Sequence, residues 1–143
     1  MTDEFGYWFS GLVDGEATFT IRQHTRHPNY ECSFAISLRD DDFDVLDVVH
    51  QTTGIGKLFS VKGYRTTNPQ TRWLVRKKSD CLQLVDILDR YPLRTKKQND
   101  FRIWREAVLL WSTLQRGTPF DWSEFAPFFD ALKEARTYSP NQS

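Results

Sequence analysis

Little in this sequence is available for covalent or metal cross-linking. Its 143 residues include two cysteines, Cys32 and Cys81. That is too few for a disulfide scaffold, so buried thiols in a reducing compartment are expected. Three histidines and two cysteines without paired ligand spacing argue against a structural zinc site. No apolar run approaches the ~18 residues of a membrane span. The acidic opening MTDEFGYWFSG lacks the basic-then-apolar order of a signal peptide. An intracellular chain with no membrane partner is therefore expected. No internal repeat is visible, so the chain reads as a single domain over residues 1–143. Net charge is also missing: 19 Lys and Arg balance 19 Asp and Glu, which argues against a general nucleic-acid glue. What is plentiful is aromatic character, at 15% of residues, enough for a dense core at this length.

The zero net charge hides segregation. Residues 1–21 carry four acids and no Lys or Arg, and residues 40–50 carry five more acids. Residues 51–79 then carry seven bases and no acid. Such asymmetry is compatible with a basic surface on one face, or simply with a solvated charged face.

Hydrophobic periodicity organises the chain. Phe5, Trp8, Phe9, Leu12 and Val13 mark one face of a helix. From Thr18 the period becomes two: Phe19 and Ile21 face one way, and Thr18, Thr20, Arg22 and His24 the other. A turn at His27-Pro28-Asn29 leads into a second strand, with Cys32, Phe34, Ile36 and Leu38 inward and Ser33, Ala35, Ser37 and Arg39 outward. Asp40 is the expected N-cap of a helix carrying Phe43, Leu46 and Val49, closed by Gly54. Two further strands are expected over 56–63 and 71–78, with a turn near Asn68-Pro69. Ser79 or Asp80 should cap a helix with Cys81, Leu84, Val85 and Leu88. A long helix follows over about 95–114. After a linker at Gly117-Thr118-Pro119, a capping box from Asp121 to Glu124 opens a last helix to about 137. The tail 139–143 should fray. The pattern is α+β, with a core at about 4–90, one antiparallel sheet and helices over 95–137. One sheet face is apolar for the helices; the other is polar and partly basic and needs water or a polar partner.

Residues 7–19 read YWFSGLVDGEATF. The helical pattern gives way to the strand at Gly15-Glu16-Ala17, which sets Glu16 at a junction below the polar face. Gly11 and Gly15 are one helical turn apart and permit close approach of another backbone. They serve packing within one chain equally well, with Glu16 merely exposed. This stretch resembles the signature helix of the LAGLIDADG homing endonucleases. FSGLVDGEA, residues 9–17, overlies the nine-letter motif with Gly11, Leu12, Asp14 and Glu16 in register. Relatives reading GxxDGEGxF have glycine where this chain has Ala17, a mild change if φ is negative there. The element order matches the αββαββα core of that family, with its four-stranded saddle-like antiparallel sheet. The resemblance extends to YPLRTKKQNDFRIW at 91–104, where relatives place a proline, a basic cluster and a helix. It covers roughly residues 4–112.

The resemblance implies a site-specific endonuclease of double-stranded DNA, hydrolysing phosphodiesters with a divalent metal at a long, palindromic or pseudo-palindromic site. One motif per chain implies a homodimer packed through Gly11, Asp14 and Gly15. Glu16 and its symmetry mate would hold Mg²⁺, or Mn²⁺ or Ca²⁺ in its place, with help from the Gly15 carbonyl. Lys96 falls where relatives keep a basic residue in the catalytic pocket; Lys97 and Arg94 are the neighbouring alternatives. Relatives often place a Gln near the end of the second strand, where this chain has Ser37, Leu38 and Arg39. The polar sheet face would enter the major groove. Its candidate readers are Thr18, Thr20, Arg22, His24 and Arg26, then Ser33, Ala35, Ser37 and Arg39, then Arg72 and Arg76. Lys57, Lys62 and Arg65 are nominated by charge alone, because the register of the third strand is open. Lys77 and Lys78 are assigned to phosphate. No small-molecule substrate is implied, and a bacterial cytoplasm or an organelle fits as location. An RNA-binding intron maturase and a non-cleaving DNA-binding regulator use the same scaffold and are the alternative readings.

Overall fold

The helical and strand periods each place one apolar stripe on their element, and burying those stripes together explains the layout. A computed structural model of the chain describes residues 1–26, 29–65, 68–115, 117 and 119–137. His27-Pro28 of the expected turn, Thr118 of the linker and the tail 139–143 lie outside the described residues. Helix α1 (Asp3–Glu16) runs directly into β1 (Ala17–Gln23), which pairs with β2 (Tyr30–Arg39). Helix α2 (Phe43–Thr53) leads to β3 (Lys57–Val61) and β4 (Gln70–Val75). Helices α3 (Lys78–Arg90), α4 (Lys97–Ser112) and α5 (Ala126–Ala135) complete the chain. The four strands form one antiparallel sheet in the order β1-β2-β4-β3.

Local chemistry accounts for the ends of the elements. The Thr2 hydroxyl accepts the Phe5 N–H at 3.1 Å, with Asp3 and Glu4 in the first turn against the positive end of α1. Ala17 has φ −85°, so the alanine in place of the family glycine is unstrained. Gly54 ends α2 in the left-handed region at φ 70°, as expected of a helix C-cap. Other expected caps are corrected. Asp40 opens a 3₁₀ turn, Asp40–Asp42, and makes no capping bond. Asp80 lies inside the first turn of α3 and accepts the Gly56 N–H at 3.0 Å instead. The Asp121 carboxylate caps a 3₁₀ turn, Trp122–Phe125, accepting from the Ser123 N–H at 3.0 Å. The third and fourth strands are shorter than expected, because α3 already begins at Lys78.

All five helices pack residues into one core beneath the sheet. Phe19, Phe34, Ile36, Trp73 and Val75 point down from the strands, and Phe9, Val13, Leu46, Leu84, Trp104 and Val108 meet them. Trp104 is fully buried, and its indole N–H reaches the carbonyls of Ser33 at 2.9 Å and Thr20 at 3.2 Å. Those two residues are cross-strand partners, so one side chain bolts α4 under the β1–β2 pair. The Trp73 indole donates to the Ile55 carbonyl at 2.9 Å. Burial pushes the Cys81 thiol up to about 12 and the Cys32 thiol higher still, so both stay protonated at neutral pH.

Helix α1 departs from expectation in one way. Trp8, read as inward, is 45% exposed, whereas Gly6 and Ser10 are buried. The buried face turns toward Tyr91, whose ring occupies the space beside Gly6, and the Ser10 hydroxyl donates to the Tyr91 carbonyl. A Cβ on Gly6 would stand 2.3 Å from that ring. Gly6→Ala should therefore cost about 1–3 kcal/mol through overpacking, despite the higher helix propensity of alanine. Urea unfolding monitored by tryptophan fluorescence measures it; an unchanged midpoint would mean the α1–Tyr91 contact is loose.

Candidate active site and nucleic-acid face

The end of α1 meets the start of α4, and this junction orders the site. No basic residue lies in the last turn of α1, so its negative end lacks a local cation. Lys97 provides one from α4: its ammonium donates to the Ala17 carbonyl at 2.6 Å. Asp14 makes the return connection. Its carboxylate accepts the N–H of Arg94 at 2.9 Å, the N–H of Thr95 at 3.1 Å and the Thr95 hydroxyl at 2.7 Å. Asp14 thus binds its own chain and fixes the turn that delivers Lys97. Lys96 is exposed at the N-cap position of α4. Asp100, in the first turn of α4, has its carboxyl pushed up by burial, opposed by the charges of Arg136 and Lys97.

Glu16 remains. It is exposed, and among the described residues no donor meets its carboxylate. It lines a concavity of about 300 Å³ together with Thr18, Thr20, Ser33, Ala35, Ser37, Arg72 and Leu74. Of the sequence-nominated residues, Thr18, Thr20, Ser33, Ala35, Ser37 and Arg72 therefore share this concavity with the acid, whereas Arg22, His24, Arg26, Arg39 and Arg76 do not line it. Gly11 and Gly15 are exposed, and a Cβ on either would meet nothing within 4 Å. Beside them Tyr7 is 63% exposed. With Trp8 they leave α1 an open stripe of aromatic and glycine surface.

The strand register, open from the sequence, is set by pairing. Lys57 faces Leu74, Phe59 faces Arg72 and Val61 faces Gln70. These residues stand on the polar face; Leu58 and Ser60 point to the helices. Lys62 and Arg65 lie beyond β3 in an exposed loop, with the Arg65 guanidinium over the Tyr64 ring at 5.3 Å. Arg26 is exposed beyond the end of β1. Lys78 is turned to the helical side, its ammonium 3.4 Å from the Leu114 carbonyl and 5.1 Å from the Trp111 ring centroid. Sequence reasoning missed Phe59, which is 46% exposed on this face.

Three arginines of the face, Arg72, Arg39 and Arg76, are held before any ligand arrives. Arg72 donates to the Ser37 hydroxyl at 3.1 Å. Arg39 pairs with Asp41 through two bonds, at 3.2 and 2.5 Å. Arg76 meets Glu31 at 3.3 Å, and His24 meets the same carboxylate oxygen at 3.3 Å. Glu31 was also missed: β2 begins at Tyr30, two residues before its apolar alternation becomes legible. Among the described residues no three His, Cys, Asp or Glu side chains group as a metal site, and no helix is long and apolar enough to cross a membrane.

Comparison with known proteins agrees with this geometry. Residues 9–108 match the sequence profile described as LAGLIDADG endonuclease. The chain is 26% identical over 109 residues to a probable intron-encoded endonuclease, Cox1-I1b, of Schizosaccharomyces pombe, covering 74% of this chain and 27% of that protein. It is 31% identical over 108 residues to probable intron-encoded endonuclease 3 of Neurospora crassa, covering 71% of this chain and 20% of that protein. The chain thus spans about a quarter or less of these curated relatives. The crystal structure of the homing endonuclease I-TnaI superposes with a TM-score of 0.74 at 22% identity, covering 94% of this chain and 89% of that one.

The junction makes a direct prediction. Asp14→Ala leaves the Arg94 and Thr95 amides without their acceptor and should lower stability by about 1–2 kcal/mol. Hydrogen exchange should show those two amides losing protection while the β1–β2 amides keep theirs. Unchanged protection at Thr95 would remove Asp14 as the organiser of this turn.

Proposed function

The chain belongs to the LAGLIDADG endonuclease family, and on that premise we propose that it is a homing endonuclease cutting a specific, palindromic or nearly palindromic double-stranded DNA site as a homodimer. The observation that carries this reading is the isolation of Glu16. Of the two acids at the end of α1, Asp14 is consumed by hydrogen bonds. Glu16 opens onto the polar concavity of the sheet. The stripe bearing Gly11 and Gly15 is unobstructed, and an isologous contact along it would bring two Glu16 carboxylates together.

Metal dependence fits the donor set as half of a site. The Glu16 carboxylate is a hard oxygen donor on accessible backbone at Gly15, suited to Mg²⁺, Mn²⁺ or Ca²⁺. A single chain offers one free carboxylate here, so a second copy completes the pair. When bound there, such a cation would polarise the scissile phosphate and make its bound water more acidic. The residues of this chain do the positioning. Lys97 holds an ammonium against the junction, where it would offset phosphate charge; its contact with Ala17 favours it over Lys96, the residue expected from the sequence. The polar sheet face, with Thr18, Thr20, Arg22, Ser33, Ser37, Arg72 and Arg76, would enter the major groove, which admits antiparallel strands. The relatives' names as intron-encoded endonucleases support an intron-borne gene and action inside a cell or organelle.

A nuclease assay on the selected site tests the reading. Glu16→Gln should abolish cleavage in Mg²⁺ while binding stays within about tenfold, or ~1.4 kcal/mol. Lys97→Ala should slow cleavage by at least about tenfold with little change in binding, the signature of a group acting on the transition state; Lys96→Ala should do neither. Wild-type protein that binds its site yet never cuts it would leave the non-cleaving regulator as the better reading.

A further inference from the structure

The DNA-facing surface contains one feature at odds with a polyanionic partner. Glu31 stands on the polar face of the sheet, opposite Arg22 in the β1–β2 register. A carboxylate there repels phosphate. Its contribution to folding does not explain it, since ion pairs with a partner as exposed as Arg76, at 58%, add little to stability. Its geometry does. One oxygen, Oε1, accepts from the Arg76 guanidinium at 3.3 Å and lies 3.3 Å from the His24 Nε2. Glu31 is the least exposed member, at 25% of its side chain, against 32% for His24. The anchored carboxylate thus holds the more mobile guanidinium. Arg76 follows directly on β4 and continues the face of Arg72 and Leu74.

We propose that Glu31 is a positioning residue that buttresses Arg76 for recognition of a guanine in each half-site. A free arginine on this surface would satisfy itself on any phosphate. A guanidinium with one terminal nitrogen held on a carboxylate favours one direction for its remaining N–H groups, toward the O6 and N7 acceptors of guanine. The carboxylate also lowers local positive potential, which weakens indiscriminate backbone contact. The location follows from the register. Glu31 is level with Arg22, six residues along the chain from Glu16. At ~3.3 Å per residue that is about 20 Å, or about six base pairs at ~3.4 Å each, outward from the scissile position. The inference rests on the DNA-cutting reading above and assigns part of its specificity.

Selection of bound sites from a randomised duplex library, in EDTA so that cleavage plays no part, tests it. Wild-type protein should enrich guanine at one outer position of each half-site. Glu31→Gln should lose that preference by about tenfold, the scale of one bidentate contact, while the positions nearest the cut stay unchanged. Arg76→Lys, which keeps the charge and loses the fork, should lose the same preference at similar affinity. Glu31→Gln combined with Arg76→Gln should be no worse than Arg76→Gln alone, because the carboxylate acts through the arginine. An unchanged Glu31→Gln profile, or effects that simply add, would overturn the proposal. So would a lost preference for cytosine that is independent of Arg76, since Glu31 would then read the base itself. Wild-type protein that enriches no sequence at all would overturn the DNA reading together with this one.

Discussion

The fold's chemistry depends on how the end of α1 is tied to the start of α4. A helix terminus leaves carbonyls unpaired and a negative potential, and a strand starts here without any intervening loop. Lys97 answers the potential by donating to the Ala17 carbonyl, and Asp14 answers with three bonds to residues 94 and 95. The two connections cross in opposite directions over a short span. Together they absorb one acid and orient one base. Glu16, between them in sequence, is left outward with its charge available. The reactivity assigned to the site is thus a consequence of which acid the junction consumes.

The sheet separates the remaining tasks. Its lower face is filled by aromatic residues and bolted to α4 through Trp104, whose indole reaches both carbonyls of the Thr20–Ser33 pair. Its upper face carries arginines already engaged with Ser37, Asp41 and Glu31. Pre-positioned donors lose less freedom when a ligand arrives.

The legibility of these features in the sequence followed the strength of the local signal. The α1-to-β1 transition was plain, because the period changes from about 3.6 to two within a few residues around Glu16. The two faces of β2 were plain for the same reason. β3 was not, because Lys57-Leu58-Phe59-Ser60-Val61 places apolar residues on both faces, and only pairing with β4 decides between them. Lys96 and Lys97 are adjacent in sequence but about 100° apart around a helix, so which of them reaches the Ala17 carbonyl was not legible in the sequence. Trp8 obeyed the helical stripe yet faces outward, since the buried face is decided by Tyr91 against Gly6. Asp80 looked like a cap because caps are local, whereas its true partner is the Gly56 N–H, 24 residues away.

The central claim is that two copies meet along the open face of α1 and so pair their Glu16 side chains. The native thiols are buried and protonated, which leaves an introduced cysteine as the sole reactive one. Gly11→Cys, oxidised at micromolar concentration, should give a disulfide-linked band at twice the 16.9 kDa chain mass. Val48→Cys, on the exposed surface of α2, should not. A Gly11→Cys protein that stays monomeric under oxidation, or a link that forms through Val48 instead, would contradict the account.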